Sequence, residues 1–266
     1  MMIDYKDICS KIESAARETG KFIKKESEGF DISRTESKGL HDFVSYVDKE
    51  SEKMLVDRLG SIVPEAGFIA EEGTSSKKGT EYCWVIDPLD GTTNFVHGIH
   101  PYAISVALTK DKEPVAGVVH EIGGDETFTA WSGGGAWLNG NRICVSSAAK
   151  VADSLIATGF PYNDFSRLDK YMNCLSHFCR SSHGIRRLGS AAIDLSYVAC
   201  GRFEGFYEYD LKRWDVAAGI IIVREAGGKV SDFSGKEENL TGFEIVAANR
   251  SVFPEFLEIV SKFMHD

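Results

Sequence analysis

One stretch restricts the fold more than any other: Cys83-Trp84-Val85-Ile86-Asp87-Pro88-Leu89-Asp90-Gly91-Thr92-Thr93-Asn94. The apolar run at its start is that of a buried strand. Strand character is expected to stop at Asp87, because Pro88 cannot donate to a following ladder position. Asp87 and Asp90 then stand three residues apart on a turn. Gly91 permits close backbone approach to a ligand, and Thr92 and Thr93 are placed to cap a helix start, where free N–H groups point outward. A rigid strand end thus delivers two acids beside several backbone donors and a hydroxyl. Acids alone repel an anion, whereas acids holding Mg²⁺ beside free N–H groups attract a phosphate. The competing reading is a turn carrying solvated acids, since Asp-Pro and Asp-Gly are ordinary turn dipeptides. The rest of the chain decides between them.

The 266 residues suffice for one large domain or two small ones, and with 43% apolar and 11% aromatic residues the chain is globular. The net charge of −10 opposes a broad nucleic-acid or anionic-membrane surface, so neither partner is expected. A small anionic substrate stays possible where bound cations invert the local charge. The six cysteines (9, 83, 144, 174, 179 and 200) form no C-x-x-C pair, the first residues show no apolar leader, and no run is long enough to span a bilayer. A reduced, cytoplasmic protein is expected.

Along the chain, residues 3–27 show helical spacing, and a second helical pattern carries Met54, Leu55, Leu59 and Ile62. Asp48 falls in the first turn of that helix, where an acid complements the dipole. A short apolar run at 68–70 ends in Glu71-Glu72-Gly73, a second acid cluster at a strand's end. Strands are expected at 102–108, 115–122 and 127–131, the last two forming a hairpin through Gly123-Gly124-Asp125. A strand at 155–158 precedes an amphipathic helix through Leu168, Tyr171, Leu175 and Phe178. Ser190 is placed to cap a helix that Gly201 ends, and a strand at 203–209 carries Glu204 and Glu208. A buried helix opens at Arg213-Trp214-Asp215 and closes at Gly227-Gly228, where a dipole role alone explains Asp215. Strands at 230–232 and 245–248 and a final helix at 253–263 complete the pattern. His97 and His100 read as structural or solvent-facing. Cys174, His177, Cys179 and His183 lack zinc spacing. Ser190 and the cysteines have no evident base partner, so no phosphoenzyme is expected.

The segment Trp84–Phe95, the segment Trp214-Asp215-Val216-Ala217-Ala218-Gly219 with the later Glu225-Ala226-Gly227-Gly228, and the upstream Glu71-Glu72 pair occur in one order and spacing. Over nearly its whole length the chain resembles the inositol monophosphatase family of Mg²⁺-dependent, lithium-sensitive phosphatases. The resemblance implies a layered αβαβα sandwich, combining α+β and α/β character, with an N-terminal half (1–150) carrying most metal ligands and a C-terminal half (151–266) completing one catalytic unit. It implies two to three Mg²⁺ ions, with Li⁺ as an inhibitor. Asp87 corresponds to the ligand bridging two metals, Glu71 and the Leu89 carbonyl to the rest of the first site, and Asp90 and Asp215 to the second. Thr92, paired with Asp48, corresponds to the group orienting the attacking water, with Glu71 also in the catalytic set. The amides of Gly91 and Thr92 match the phosphate cradle. Glu208 corresponds to an acid that binds a sugar or inositol hydroxyl, beside Ala191 and Asp215. Ala70 departs from the glycine that often precedes the acid pair. Lys38 is assigned no role, and Arg213 reads equally as reaching the substrate mouth or facing solvent.

The expected substrate is a small phosphorylated polyol or sugar, first an inositol monophosphate, and the expected assembly a homodimer. Fructose 1,6-bisphosphate and 3′-phosphoadenosine nucleotides are the rival substrates, because metal motifs do not fix substrate choice. A reading of another class is an interaction protein for the transcription or ribosome machinery, as some bacterial relatives are.

Overall fold

The computed structural model describes residues 3–30, 35–37 and 43–265, with the backbone alone at 35–37, 43 and 44. Lys38 lies outside the described residues. The first helix, α1 (Tyr5–Ser27), starts where the Asp4 carboxylate accepts from the amides of Lys6 and Asp7, and it buries one stripe through Ile8, Ile12, Ala16 and Ile23. Strands β1 (Thr35–Ser37) and β2 (Phe43–Ser45) form a short antiparallel pair leading into α2 (Tyr46–Ile62).

A seven-stranded sheet follows, in order β3 (Gly67–Ala70), β4 (Tyr82–Asp90), β5 (Ala103–Lys110), β6 (Glu113–Glu121), β7 (Glu126–Trp131), β8 (Gly135–Leu138) and β9 (Asn141–Ile143). Only β3 and β4 are parallel; the rest form an antiparallel meander that includes the expected β6–β7 hairpin. Helix α3 (Thr92–Val96) interrupts it after β4. The later chain builds a five-stranded sheet from β10 (Leu155–Thr158), β11 (Gly184–Arg186), β12 (Gly205–Tyr209), β13 (Lys229–Ser231) and β14 (Glu244–Ala248), in the order β11-β10-β12-β14-β13. Its helices are α4 (Leu168–Ser181), α5 (Ala191–Ala199), α6 (Arg213–Glu225) and α7 (Phe253–His265).

Period-two alternation explains why five layers form. On β5, Ile104, Val106 and Leu108 join the cluster under α1 and α2, while Ala103 and Ala107 face the central helices. On β14, Ile245 and Ala247 face the centre, and Val246 and Ala248 join the cluster under α4 and α7. Both sheets are therefore covered on both faces, with α5 and α6 between them. This is the expected αβαβα sandwich. Helices α5 and α6 approach closely because Gly219 has no side chain: a Cβ there would lie 2.5 Å from Leu195 Cδ1.

Two expectations about the central stretch are corrected. The strand does not stop at Asp87; β4 continues through Pro88 to Asp90. Asp87 pairs with Ser105 and Asp90 with Ala103, so β4 spends one residue more than β5 over the same span. That bulge is where a residue without an N–H costs no ladder bond. The cap of α3 is not a threonine either. Gly91 occupies the N-cap position with φ 91°, no side chain caps the helix, and Thr92 is already its first residue. A left-handed backbone and the nearness of Pro101 O (3.1 Å) and Gly189 O (3.2 Å) to a would-be Cβ both demand glycine there.

Candidate active site

The β4 bulge, the β3 end, and the N-termini of α3, α5 and α6 meet around one cleft of about 260 Å³. Glu71, Asp87, Leu89, Asp90, Gly91, Thr92, Ala191, Glu208 and Asp215 all line it. Of the residues singled out in the sequence, Asp48 alone stands behind the wall: it is buried, and its Oδ1 lies 3.0 Å from Thr92 Oγ1. Its other oxygen accepts from the Ser45 amide (2.8 Å) and hydroxyl (2.6 Å), closing a capping box at the start of α2. Asp48 is thus both the helix-start acid and the partner of Thr92. Thr92 Oγ1 also lies 2.9 Å from the Leu89 carbonyl, so one hydroxyl proton stands between two acceptors.

The acids are fixed by backbone donors. Asp87 Oδ1 accepts from the Leu89 amide at 2.9 Å. Asp90 Oδ2 accepts from Ser190 Oγ and from the Ala192 amide, each at 2.7 Å, which seats it on the N-terminus of α5. Asp215 Oδ2 accepts from the Lys212 amide at 2.7 Å, as expected of an acid in the first turn of α6. Burial raises the pKa of Asp87 well above the carboxylate range, and Glu71, Asp90 and Asp215 raise it further. Burial pushes Asp90 up to about 6 against the opposing bonds from Ser190 and the α5 amides. Asp215 is pushed up to about 7, by burial and then by Asp90. Glu208 is also raised well above its usual range by burial, with Arg187 opposing.

Repelling acids of this kind are relieved by a cation. An all-oxygen set of four carboxylates and the Leu89 carbonyl fits a hard divalent ion. Among the described residues, no three Asp, Glu, His or Cys side chains are grouped as they stand so that they could hold a metal ion. The cleft gathers the donors along one wall, and hydrogen bonds to amides and Ser190 hold Asp87, Asp90 and Asp215 there.

Several residues of the site carry no motif. Glu52 of α2 is fully buried and accepts from the Glu72 amide (2.6 Å), the Thr74 amide (2.7 Å) and the Thr74 hydroxyl (2.7 Å). It holds the chain just beyond Glu71. A buried carboxylate one turn after Asp48 is the only sequence sign of it. Asn94 Nδ2 donates to the carbonyls of Pro101 (2.7 Å) and Leu188 (2.8 Å), tying α3 to the segment before α5. Arg187 lines the cleft and donates to Tyr162 Oη at 2.8 Å. Asp194 in α5 is buried with Oδ1 unpartnered, and burial raises it well above the carboxylate range, Glu208 and Asp90 adding to the rise.

Arg213 does not line this cleft; it donates to the Lys112 carbonyl and borders a separate shallow groove with Thr109 and Ala217. His97 and His100 are exposed, and His100 stacks on Tyr102 at 4.9 Å. All six cysteines are unpaired thiols. No helix among the described residues is long and apolar enough to cross a membrane.

A layered sandwich whose sheet ends and helix starts gather acids and amides round one cleft defines a class of phosphate-handling fold. Residues 4–265 match the inositol monophosphatase family, and the chain belongs to that family. It is 45% identical to a putative Nus factor SuhB of Neisseria meningitidis serogroup B, over 93% of this chain and 95% of that one. It is 43% identical to an inositol-1-monophosphatase of Rhizobium meliloti, over 85% of each. The crystal structure of the extragenic suppressor protein SuhB of Bartonella henselae superposes with a TM-score of 0.90 at 36% identity, covering 96% of this chain and 99% of that one. Family membership supports phosphatase chemistry.

Proposed function

We propose that this protein is a Mg²⁺-dependent phosphomonoesterase that hydrolyses inositol monophosphates or closely similar polyol phosphates. The observation that carries the reading is the cleft itself: Glu71, Asp87, Asp90 and Asp215 line it together with Thr92, whose hydroxyl is backed by buried Asp48. Glu71, Asp87, the Leu89 carbonyl, Asp90 and Asp215 would hold two to three Mg²⁺ ions. Bound there, Mg²⁺ supplies charge neutralisation of the phosphate dianion and Lewis acidity. The Thr92 hydroxyl orients the attacking water, and Asp48 Oδ1 holds the proton side of that hydroxyl. Glu71 flanks the same water. The amides of Gly91 and Thr92 face the equatorial phosphate oxygens at the start of α3, where negative charge is favoured. Glu208, Ala191 and Asp215 receive the polyol, Glu208 accepting from a hydroxyl. No covalent nucleophile is needed. The same reading takes the protein as a cytoplasmic homodimer inhibited by Li⁺.

The test is phosphate release from inositol 1-phosphate, fructose 1,6-bisphosphate and 3′-phosphoadenosine 5′-phosphate, with and without Mg²⁺. Release confined to inositol 1-phosphate supports the reading. Release confined to either of the others keeps the metal chemistry and replaces the substrate.

A second reading is favoured by the Neisseria relative's name, a putative Nus factor: the chain also acts with the transcription or ribosome machinery through its outer surface. Purified RNA polymerase retained by an Asp87→Asn protein as well as by wild type supports this role, and retention by neither removes it.

A further inference from the structure

Strand β12 delivers Glu208 to the cleft, and β10 runs parallel beside it, with Thr158 paired to Tyr207. Gly159 follows Thr158 directly and lines the same wall as Glu208. A Cβ on Gly159 would stand 1.9 Å from Glu208 Oε1, 2.1 Å from its Cδ and 2.2 Å from its Oε2. The whole Glu208 carboxyl therefore occupies the volume that any side chain at 159 would need. The backbone of Gly159 is not left-handed, so its conformation does not call for glycine; the space does. Neither strand end is free to yield. Tyr171 Oη donates to the Gly159 carbonyl at 2.9 Å, and Thr158 Oγ1 donates to the Tyr207 carbonyl at 2.9 Å, all within buried surroundings. A methyl group at 159 is thus relieved by rotating the Glu208 side chain, whose far end is the clashing part.

We infer that Gly159 is a specificity-positioning residue: its missing side chain is what leaves room for the Glu208 carboxyl in the cleft wall, where it discriminates polyol esters from phosphate esters without hydroxyls. The inference rests on the proposed reading of the cleft as a polyol-phosphate site. Gly159 itself touches no substrate; it acts through Glu208. Replacing glycine by alanine leaves the acid cluster of β4 untouched and keeps both strand ends, so the fold is retained.

The experiment compares kcat/KM on inositol 1-phosphate with kcat/KM on phenyl phosphate, in Mg²⁺, for wild type, Gly159→Ala, Glu208→Ala and the double variant. In Gly159→Ala the ratio is expected to fall at least about tenfold, chiefly through KM for the polyol ester, the scale of losing one hydrogen bond to a charged group. In the Glu208→Ala background the same glycine change is expected to move the ratio by less than about twofold, because the residue it acts through is gone. An unchanged ratio in Gly159→Ala, or an equal fall in the presence and absence of Glu208, overturns the inference. A wild-type protein that releases no phosphate from either ester fails earlier, at the reading of the cleft, and takes the inference with it.

Discussion

Replacing Asp215 by Asn removes one charge from the acid cluster while keeping its shape and its acceptor for the Lys212 amide. The Asp215 carboxyl is pushed up to about 7 from a usual value of 3.8, by burial and then by Asp90. A group whose folded pKa is raised binds more protons folded than unfolded, so stability falls as pH rises from the unfolded value to the folded one. About three pH units at about 1.4 kcal/mol each give an upper figure of about 4 kcal/mol. Protein surrounds the carboxyl, yet part of it still meets water in the cleft, and halving for that screening leaves about 2 kcal/mol. Asp215→Asn is therefore expected to stabilise the Mg²⁺-free protein by about 2 kcal/mol at pH 8. The gain shrinks as pH falls through 7 and is gone near pH 4. Urea unfolding in EDTA, run on both proteins across that range, reads the difference and cancels the titrating groups remote from Asp215. Asp87, whose pKa Asp215 raises, is relieved by the same substitution and adds to the gain with the same sign. An Asn variant less stable than wild type at pH 8, or a difference that does not change with pH, refutes the reasoning.

Glu52→Gln replaces an oxygen of a buried carboxylate that accepts from a backbone amide with a donor, and it is expected to cost about 2 kcal/mol in urea unfolding; no loss would show that Glu52 does not hold the chain after Glu71. Thr92→Val keeps the shape of the side chain and removes the hydroxyl, so phosphate release is expected to fall by about a hundredfold or more while the melting temperature moves little. Gly219→Val forces a side chain against Leu195 at the crossing of α5 and α6 and is expected to destabilise by about 1–3 kcal/mol, read by the urea midpoint. Adding Mg²⁺ at pH 8 is expected to raise the thermal midpoint of wild type by several degrees and that of Asp87→Asn by less, measured side by side by calorimetry.

Periodicity put Glu71 at a strand's end, Asp87 at another and Asp215 at a helix start, but by itself it left Asp215 a dipole role. The resemblance of the Trp84–Phe95 and Trp214–Gly219 segments and the Glu71-Glu72 pair to the family is what joined Glu71, Asp87, Asp90 and Asp215 into one set. The layer order likewise came from the resemblance, and the structure supplies its physical basis, since β5 and β14 each send alternate residues to two different buried clusters. What the sequence hid is long-range. Pro88 reads as a strand stop because its tolerance depends on a bulge against β5, which no local pattern shows. Gly91 replaced the threonines as cap because its surroundings, Pro101 and Gly189, come from distant turns. Glu52 and Gly159 act on Glu72, Thr74 and Glu208, partners 20 to 49 residues away. Asp48 looks like a helix-start acid and is one; its bond to Thr92 spans 44 residues, a relation that local spacing does not reveal.

The central claim is that the acids of this cleft work as one cation-dependent phosphatase site. Its most direct test is phosphate release from inositol 1-phosphate as Mg²⁺ is titrated, for wild type and for Asp87→Asn, with circular dichroism confirming that both are folded. Release that rises with Mg²⁺ in wild type and is lost in Asp87→Asn is the predicted result. Equal release in the two proteins, or release that EDTA does not abolish, would contradict it.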